Sequence, residues 1–392
     1  MIGHDGYYYY GGMMKNRRQN ITLIVIFNLL IFGVTAASLL APEKEFSDRE
    51  NRTLAQMPGL SVDSYFSGTF AKDYESYITD QFLFRDQWIG VKTAVERATF
   101  KQESNDIYFA KDGYLIEKHT DSFTGDTARR NIGSLADFMK EMKDRYGEGH
   151  VTAMVVPNAV DILKEKLPPY ASPYDESVYL KQIEEALPEG TWFDSEAVLK
   201  EHSSEDLYYK TDHHWKTLAA WYVYEAWAGE KGLNPPSLSD YRIETVTEEF
   251  QGTIEAKVGG DVGYDSIEIF RLKDEAPYSL LYNRKEAKTD LYNWEALQTK
   301  DKYSLYFGGN QPVVEGTIEN GSDRRLLVIK DSYAHCFLPF TFRDFSEVDF
   351  VDLRYFNESL REYMEGKDYT DVLFLYNASG FAEDPNVARL GN

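Results

Sequence analysis

Two short runs hold the residue types that can do covalent chemistry. In Thr211-Asp212-His213-His214-Trp215 a carboxylate stands beside two of the chain's seven histidines, and in Lys330-Asp331-Ser332-Tyr333 an acid precedes a serine. Three readings are open to the first run. A metal centre needs three or more converging ligands, whereas neighbouring side chains of an extended chain point apart, which disfavours Asp212, His213 and His214 as a joint ligand set. A helix cap needs only Asp212, ahead of the apolar stripe Trp215, Leu218, Ala219, Tyr222 and Ala226. A catalytic pair needs Asp212 and His214: at i and i+2 both lie on one side of an extended turn, so the carboxylate can fix the imidazole's tautomer while the ring faces a partner from elsewhere. His213 would then point away. Ser332 is the matching nucleophile, since a serine hydroxyl needs a base and a strand-to-helix turn offers backbone N–H groups to an oxyanion. Asp331-Ser332 also fits a plain N-cap. On these residues alone, capping and catalysis both stand.

The elements that must position them alternate. "RLLVIK" (325–330) reads as a strand, "SYAHCFLPFTFRDF" as a helix, "EVDFVDL" as a strand, "NESLREYMEG" as a helix and "DVLFLYN" (371–377) as a strand. Such a βαβαβ unit builds a parallel sheet whose ligands sit at the strands' C-terminal ends. Asp331-Ser332, Asp352 with Arg354, and Asn377 with Ser379 fall at those ends. Upstream, an amphipathic helix from about Thr127 to Tyr146 leads into a buried strand at Met154–Pro157, with Asn158 just after it. Residues 245–315, rich in Gly, Tyr and charge, read as a β-rich insertion. The expected class is α/β, a parallel sheet flanked by helices.

The run from Ile21 to Ala41 has no charged residue and is about long enough to cross a bilayer. Lys15, Arg17 and Arg18 precede it, so the basic flank stays cytoplasmic and the rest faces outward. The expected organisation is a disordered cytoplasmic tail over 1–20, a transmembrane signal anchor over 21–41, a membrane-proximal helical segment over 42–112 and one domain over 113–392. The cleaved signal peptide is the alternative to an anchor. Beyond residue 41 the chain carries 39 basic and 64 acidic residues, a net charge of −25, which repels nucleic acid. The single cysteine, Cys336, excludes an internal disulfide and a cysteine-built metal cluster, and reads as core packing. An outward-facing chain without disulfides points to a Gram-positive bacterium.

"TDHHW" before a helix, then "KDSYAHCFLPF", "VDLRYF" and "DVLFLYN", resembles the DHHW family, as do "SDRENRTLAQMP", "YITDQFLFRD", "DGYL" and "DKYSLYFGGNQP". That family is similar to the alginate acetylation proteins AlgJ and AlgX. The resemblance implies an SGNH-hydrolase-like domain with Ser332 as nucleophile, His214 as base and Asp212 as the triad acid. It implies an oxyanion hole made by the Ser332 N–H and an amide from Asn377 or Asn310, near Gly309. Lys330, standing where "GDS" motifs have glycine, leaves that hole open. Arg354 would bind a substrate carboxylate or pair with Asp352, the second being favoured. The implied activity is O-acetyl transfer to an exported polysaccharide or cell-wall glycan. The implied partner is a membrane-bound O-acyltransferase (MBOAT) supplying acyl groups, and no metal or diffusible cofactor is expected. A carbohydrate acetylesterase with the same three residues, or a non-catalytic glycan-binding surface protein, are the alternatives.

Overall fold

The computed structural model describes residues 5–47, 52–260 and 262–391. Tertiary contacts divide the chain into two units, Met1–Gly90 and Val91–Asn392. In the first, one helix spans Asp5–Leu40. Its Arg17–Ser38 stretch is long and apolar enough to cross a membrane. This helix takes in residues 5–20 of the expected disordered tail, because no proline interrupts the run before Pro42. Residues 1–4 lie outside the described residues. The next segment is helical over Val62–Phe66, Thr69–Asp80 and Arg85–Ala98, as its apolar spacing predicts. Two quoted motifs meet there: Arg52 of "SDRENRTLAQMP" donates to both oxygens of Asp80 in "YITDQFLFRD", at 2.8 and 2.6 Å. The last part of 42–112 is not helical, since Glu103–Ser104 and Ile107–Phe109 join Leu115–Glu117 in a small antiparallel sheet.

The second unit is organised by a seven-stranded sheet. Its strands are β1 (Val151–Val156), β2 (Tyr278–Tyr282), β3 (Glu286–Lys288), β4 (Val313–Ile318), β5 (Arg325–Lys330), β6 (Glu347–Val351) and β7 (Asp371–Asn377). They lie in the order β3-β2-β4-β6-β5-β7-β1. β6, β5, β7 and β1 are mutually parallel, whereas β4, β2 and β3 add an antiparallel wing. The sheet is therefore mixed. The expected insertion is only partly an excursion, because β2, β3 and the start of β4 come from it and complete the main sheet.

Near-continuous apolar strands signal burial on both faces, and the period of two sorts their side chains. Leu326, Val328, Leu373 and Leu375 pack with Ala219, Val223 and Trp227 of the helix Thr217–Glu230. Leu327, Ile329, Val372 and Phe374 pack on the other face with Leu135, Phe138 and Met142 of Asp126–Tyr146. Each such side chain contributes roughly 1.5–3 kcal/mol on burial. The crossover helices are shorter than their sequence suggests. Ser332–Cys336 is a 3-10 turn and Leu338–Thr341 a separate short helix, because Pro339 suits a first helical turn and cannot continue a helix already begun. The insertion's remaining strands, Tyr241–Phe250 and Asp265–Leu272, form a hairpin. Its connection carries the short helix Thr253–Val258.

Candidate active site

Residues 208–215 form a tight loop closed by pairing of Tyr208 with Trp215 and by a bond from the Tyr209 N–H to the His214 carbonyl. The loop is held from the hairpin. Asp265 accepts from the Lys210 N–H (2.9 Å), the Thr211 N–H (2.8 Å) and the Thr211 hydroxyl (2.7 Å). The helix beyond starts only at Thr217, with Lys216 at its cap position, so Asp212 does not cap it. Instead Asp212 Oδ2 accepts from the Thr253 N–H at 2.9 Å, capping the short helix of the insertion, while Oδ1 turns to the histidine.

The geometry at His214 is a continuous chain. Its Nδ1 lies 2.5 Å from Asp212 Oδ1, and its Nε2 lies 2.8 Å from Ser332 Oγ. An ionised carboxylate only accepts, so Nδ1 carries the proton and Nε2 faces the serine hydroxyl as an acceptor. Burial alone would raise the Asp212 carboxyl. The two adjacent histidines and the Thr253 N–H outweigh it and hold the group well below the usual carboxylate range. Tyr303 stacks on the His214 ring (centroids 3.8 Å, 18°) and limits its rotation.

Ser332 follows β5 directly. Asp331 caps the turn, accepting from the Tyr333 N–H at 2.8 Å, so the capping reading of "KDS" holds alongside the geometry at the serine. Tyr333 ties the two motifs together. Its hydroxyl donates to the His213 carbonyl (2.6 Å) and its own carbonyl accepts from the Trp215 indole (2.8 Å). Among the described residues no hydrogen bond engages the Ser332 N–H.

Other expected residues stand apart from this chain. Asn377 Nδ2 donates to Asp331 Oδ2 (2.6 Å), and its Oδ1 accepts from the Gly380 N–H (2.7 Å), which is capping and strand-end tying rather than a free amide. Asn158 likewise joins Ser379 N–H and Asn377. Asn310 Oδ1 accepts from Arg354 (3.2 Å), and Gly309 sits beside it at φ +85, where a Cβ would meet Ser304. Among the described residues neither shares a hydrogen bond with Ser332 or His214. Arg354 is paired to both oxygens of Asp352, at 2.8 and 2.6 Å, as favoured. Cys336 is buried, and burial pushes its thiol up to about 12. Lys330, 0% exposed, bonds His335 Nε2 at 2.8 Å and lies 3.5 Å from Asp352, and burial lowers its ammonium to about 8.

His213 differs from expectation. Its ring does not point away but lies 3.9 Å from that of His214 and bonds Thr253 Oγ1 at 2.8 Å. One ligand atom each from Asp212, His213 and His214 could be gathered within 4.8 Å. Asp212 Oδ1 and both His214 nitrogens already serve the hydrogen-bonded chain, and Oδ2 accepts from the Thr253 N–H, so the donor set fits these bonds better than an ion. Sequence reasoning missed Gly252, Thr253 and Tyr303. A Cβ on Gly252 would lie 2.1 Å from Asp212 Oδ2, so only glycine lets the insertion approach the acid.

The family profile described as DHHW protein matches residues 137–351, more than half the chain. The chain belongs to the DHHW family. The four residues of the motif that names it are Asp212, His213, His214 and Trp215, all in the loop just described. No curated protein matches the sequence. A DHHW family protein from Eubacterium siraeum has a similar structure at 24% identity and a TM-score of 0.64, over 74% of this chain and 96% of that one. Bacillus cereus PatB1, solved with a sulfonyl adduct, is similar at 19% identity and 0.58, over 71% and 96%. The O-acetyltransferase domain of Pseudomonas putida AlgJ aligns at 12% identity and 0.43, over 71% and 92%, too distant to bear on activity. The first two establish that this DHHW protein has their mixed α/β fold.

Proposed function

We propose that this DHHW protein is a membrane-anchored, extracytoplasmic O-acyltransferase that moves acetyl groups onto hydroxyls of an exported polysaccharide or cell-wall glycan. One observation carries the reading: the hydrogen-bonded chain from Asp212 through His214 to Ser332, at 2.5 and 2.8 Å. In this reading His214 Nε2 takes the Ser332 proton as Oγ attacks the donor's acyl carbon. The Ser332 N–H stabilises the developing oxyanion. The proton passes to the leaving group as the donor's acyl bond breaks, leaving acyl-Ser332. A glycan hydroxyl then gives its proton to His214 and forms the new ester, and Ser332 Oγ leaves with that proton. Asp212 holds the imidazole in the required tautomer throughout. The DHHW motifs, and the O-acetyl transfer that their resemblance implies, support the glycan acceptor and an MBOAT partner as donor. The apolar helix supports the tether.

The test is turnover of p-nitrophenyl acetate by the full chain. Ser332→Ala and His214→Ala should each lower kcat/KM by at least about 10³-fold, as removing a nucleophile or its base does. Full activity in Ser332→Ala would overturn the assignment.

A further inference from the structure

His213 is held by the same acid that orients His214. Thr253 Oγ1 has one proton and lies 3.3 Å from Asp212 Oδ2, an ionised acceptor, so its proton points there. The oxygen then accepts from His213, 2.8 Å away, and the His213 proton must sit on Nδ1. Nε2 is left with a lone pair. Among the described residues it has no hydrogen-bond partner, and 32% of the side chain is exposed. The ring centroid stands 3.9 Å from that of His214, so the two imidazoles lie side by side, within reach of neighbouring hydroxyls of one small ligand. Further polar groups stand nearby: the charges of Glu117 and Lys257 act on this imidazole, Lys257 bonds Glu117, and His119 lies 3.8 Å from Glu117.

We infer that His213 belongs to an acyl-acceptor subsite for polyols, its Nε2 accepting a hydrogen bond from the hydroxyl next to the one that attacks. This rests on the acyl-serine reading above. The attacking hydroxyl gives its proton to His214, and its oxygen bonds the acyl carbon as Ser332 Oγ leaves. His213 exchanges no proton. It distinguishes a vicinal diol from a simple alcohol or water.

Acyl partition tests this. The full chain in detergent is given p-nitrophenyl acetate as donor and either glycerol or ethanol as acceptor, and acetylated alcohol is measured per p-nitrophenol released. The wild type should favour glycerol. His213→Asn retains a group able to bond Thr253 but puts no acceptor at the Nε2 position, and its glycerol preference should fall about five- to tenfold, the loss of one hydrogen bond. His213→Gln, whose amide oxygen reaches that position, should keep the preference within about twofold. A wild type indifferent between the alcohols, an unchanged preference in His213→Asn, or equal loss in both variants would overturn the inference. The acyl-serine reading fails separately, if Ser332→Ala still releases p-nitrophenol at the wild-type rate.

Discussion

Asp212 divides its two oxygens between two jobs: Oδ1 orients His214, and Oδ2 caps the insertion's short helix at Thr253. The second job explains Gly252. A Cβ there would overlap the carboxylate, at 2.1 Å from Oδ2 and 2.5 Å from Cγ, and the acid is bonded on both sides. Gly252→Ala should therefore keep the fold, read by circular dichroism, while kcat for acetyl-ester turnover drops about 100-fold, the scale of a 1 Å misplacement. An unchanged kcat would mean that Asp212 does not orient the base. Asp212 and His214 were legible in the sequence because their relation is local, two positions apart. Gly252, Thr253 and Tyr303 were not, because they reach the loop from about 40 to 90 residues away and only tertiary folding reveals them. The same limit explains Asn377: its position at a strand end was readable, but its amide's commitment to Asp331 was not.

At the scale of elements, the parallel strands β1, β5, β6 and β7 were readable from their apolar runs, and the antiparallel wing was not. β2 and the start of β4 lie in the stretch read as a β-rich insertion, and nothing in its alternating pieces says that they pair with the main sheet. The Ser332 turn and the histidine loop are joined through Tyr333 and Trp215. Trp215→Phe keeps the packing but leaves the buried Tyr333 carbonyl without its indole donor, which should cost about 1–3 kcal/mol and lower kcat as the loop loosens. Thermal unfolding and acetyl-ester kinetics measure the two effects, and a variant matching the wild type in both would remove Trp215 from the account. At the end of β1, the buried Glu176 accepts from the Asn158 N–H at 2.7 Å. Burial raises its carboxyl to about 8 from an ordinary 4.5. The folded state therefore holds the proton over a window where the unfolded chain loses it, so this group's contribution is complete below about pH 4.5 and is lost as pH rises to about 8. Glu176→Gln, which mimics the protonated acid, should match the wild type at pH 5 and exceed it by a few kcal/mol at pH 8. Equal slopes of Tm against pH in the two proteins would contradict this.

For the whole molecule, the account requires an acidic outward-facing body tethered by one apolar helix. The full chain should fractionate with membranes, and deletion of residues 1–41 should release a soluble protein that keeps its ester turnover. A deletion variant that stays membrane-bound would place the tether elsewhere. The apolar helix was plain in the sequence because the run from Ile21 to Ala41 lacks charge, whereas its continuation back to Asp5 was not, since that stretch is polar and of low complexity. The central claim is that Ser332 is a nucleophile activated through His214, and sulfonyl fluoride labelling followed by intact and peptide mass spectrometry tests it most directly. The account predicts one adduct per chain, on Ser332, absent in Ser332→Ala and much slower to form in His214→Ala. An unmodified wild-type protein, or an adduct that persists in Ser332→Ala, would contradict it.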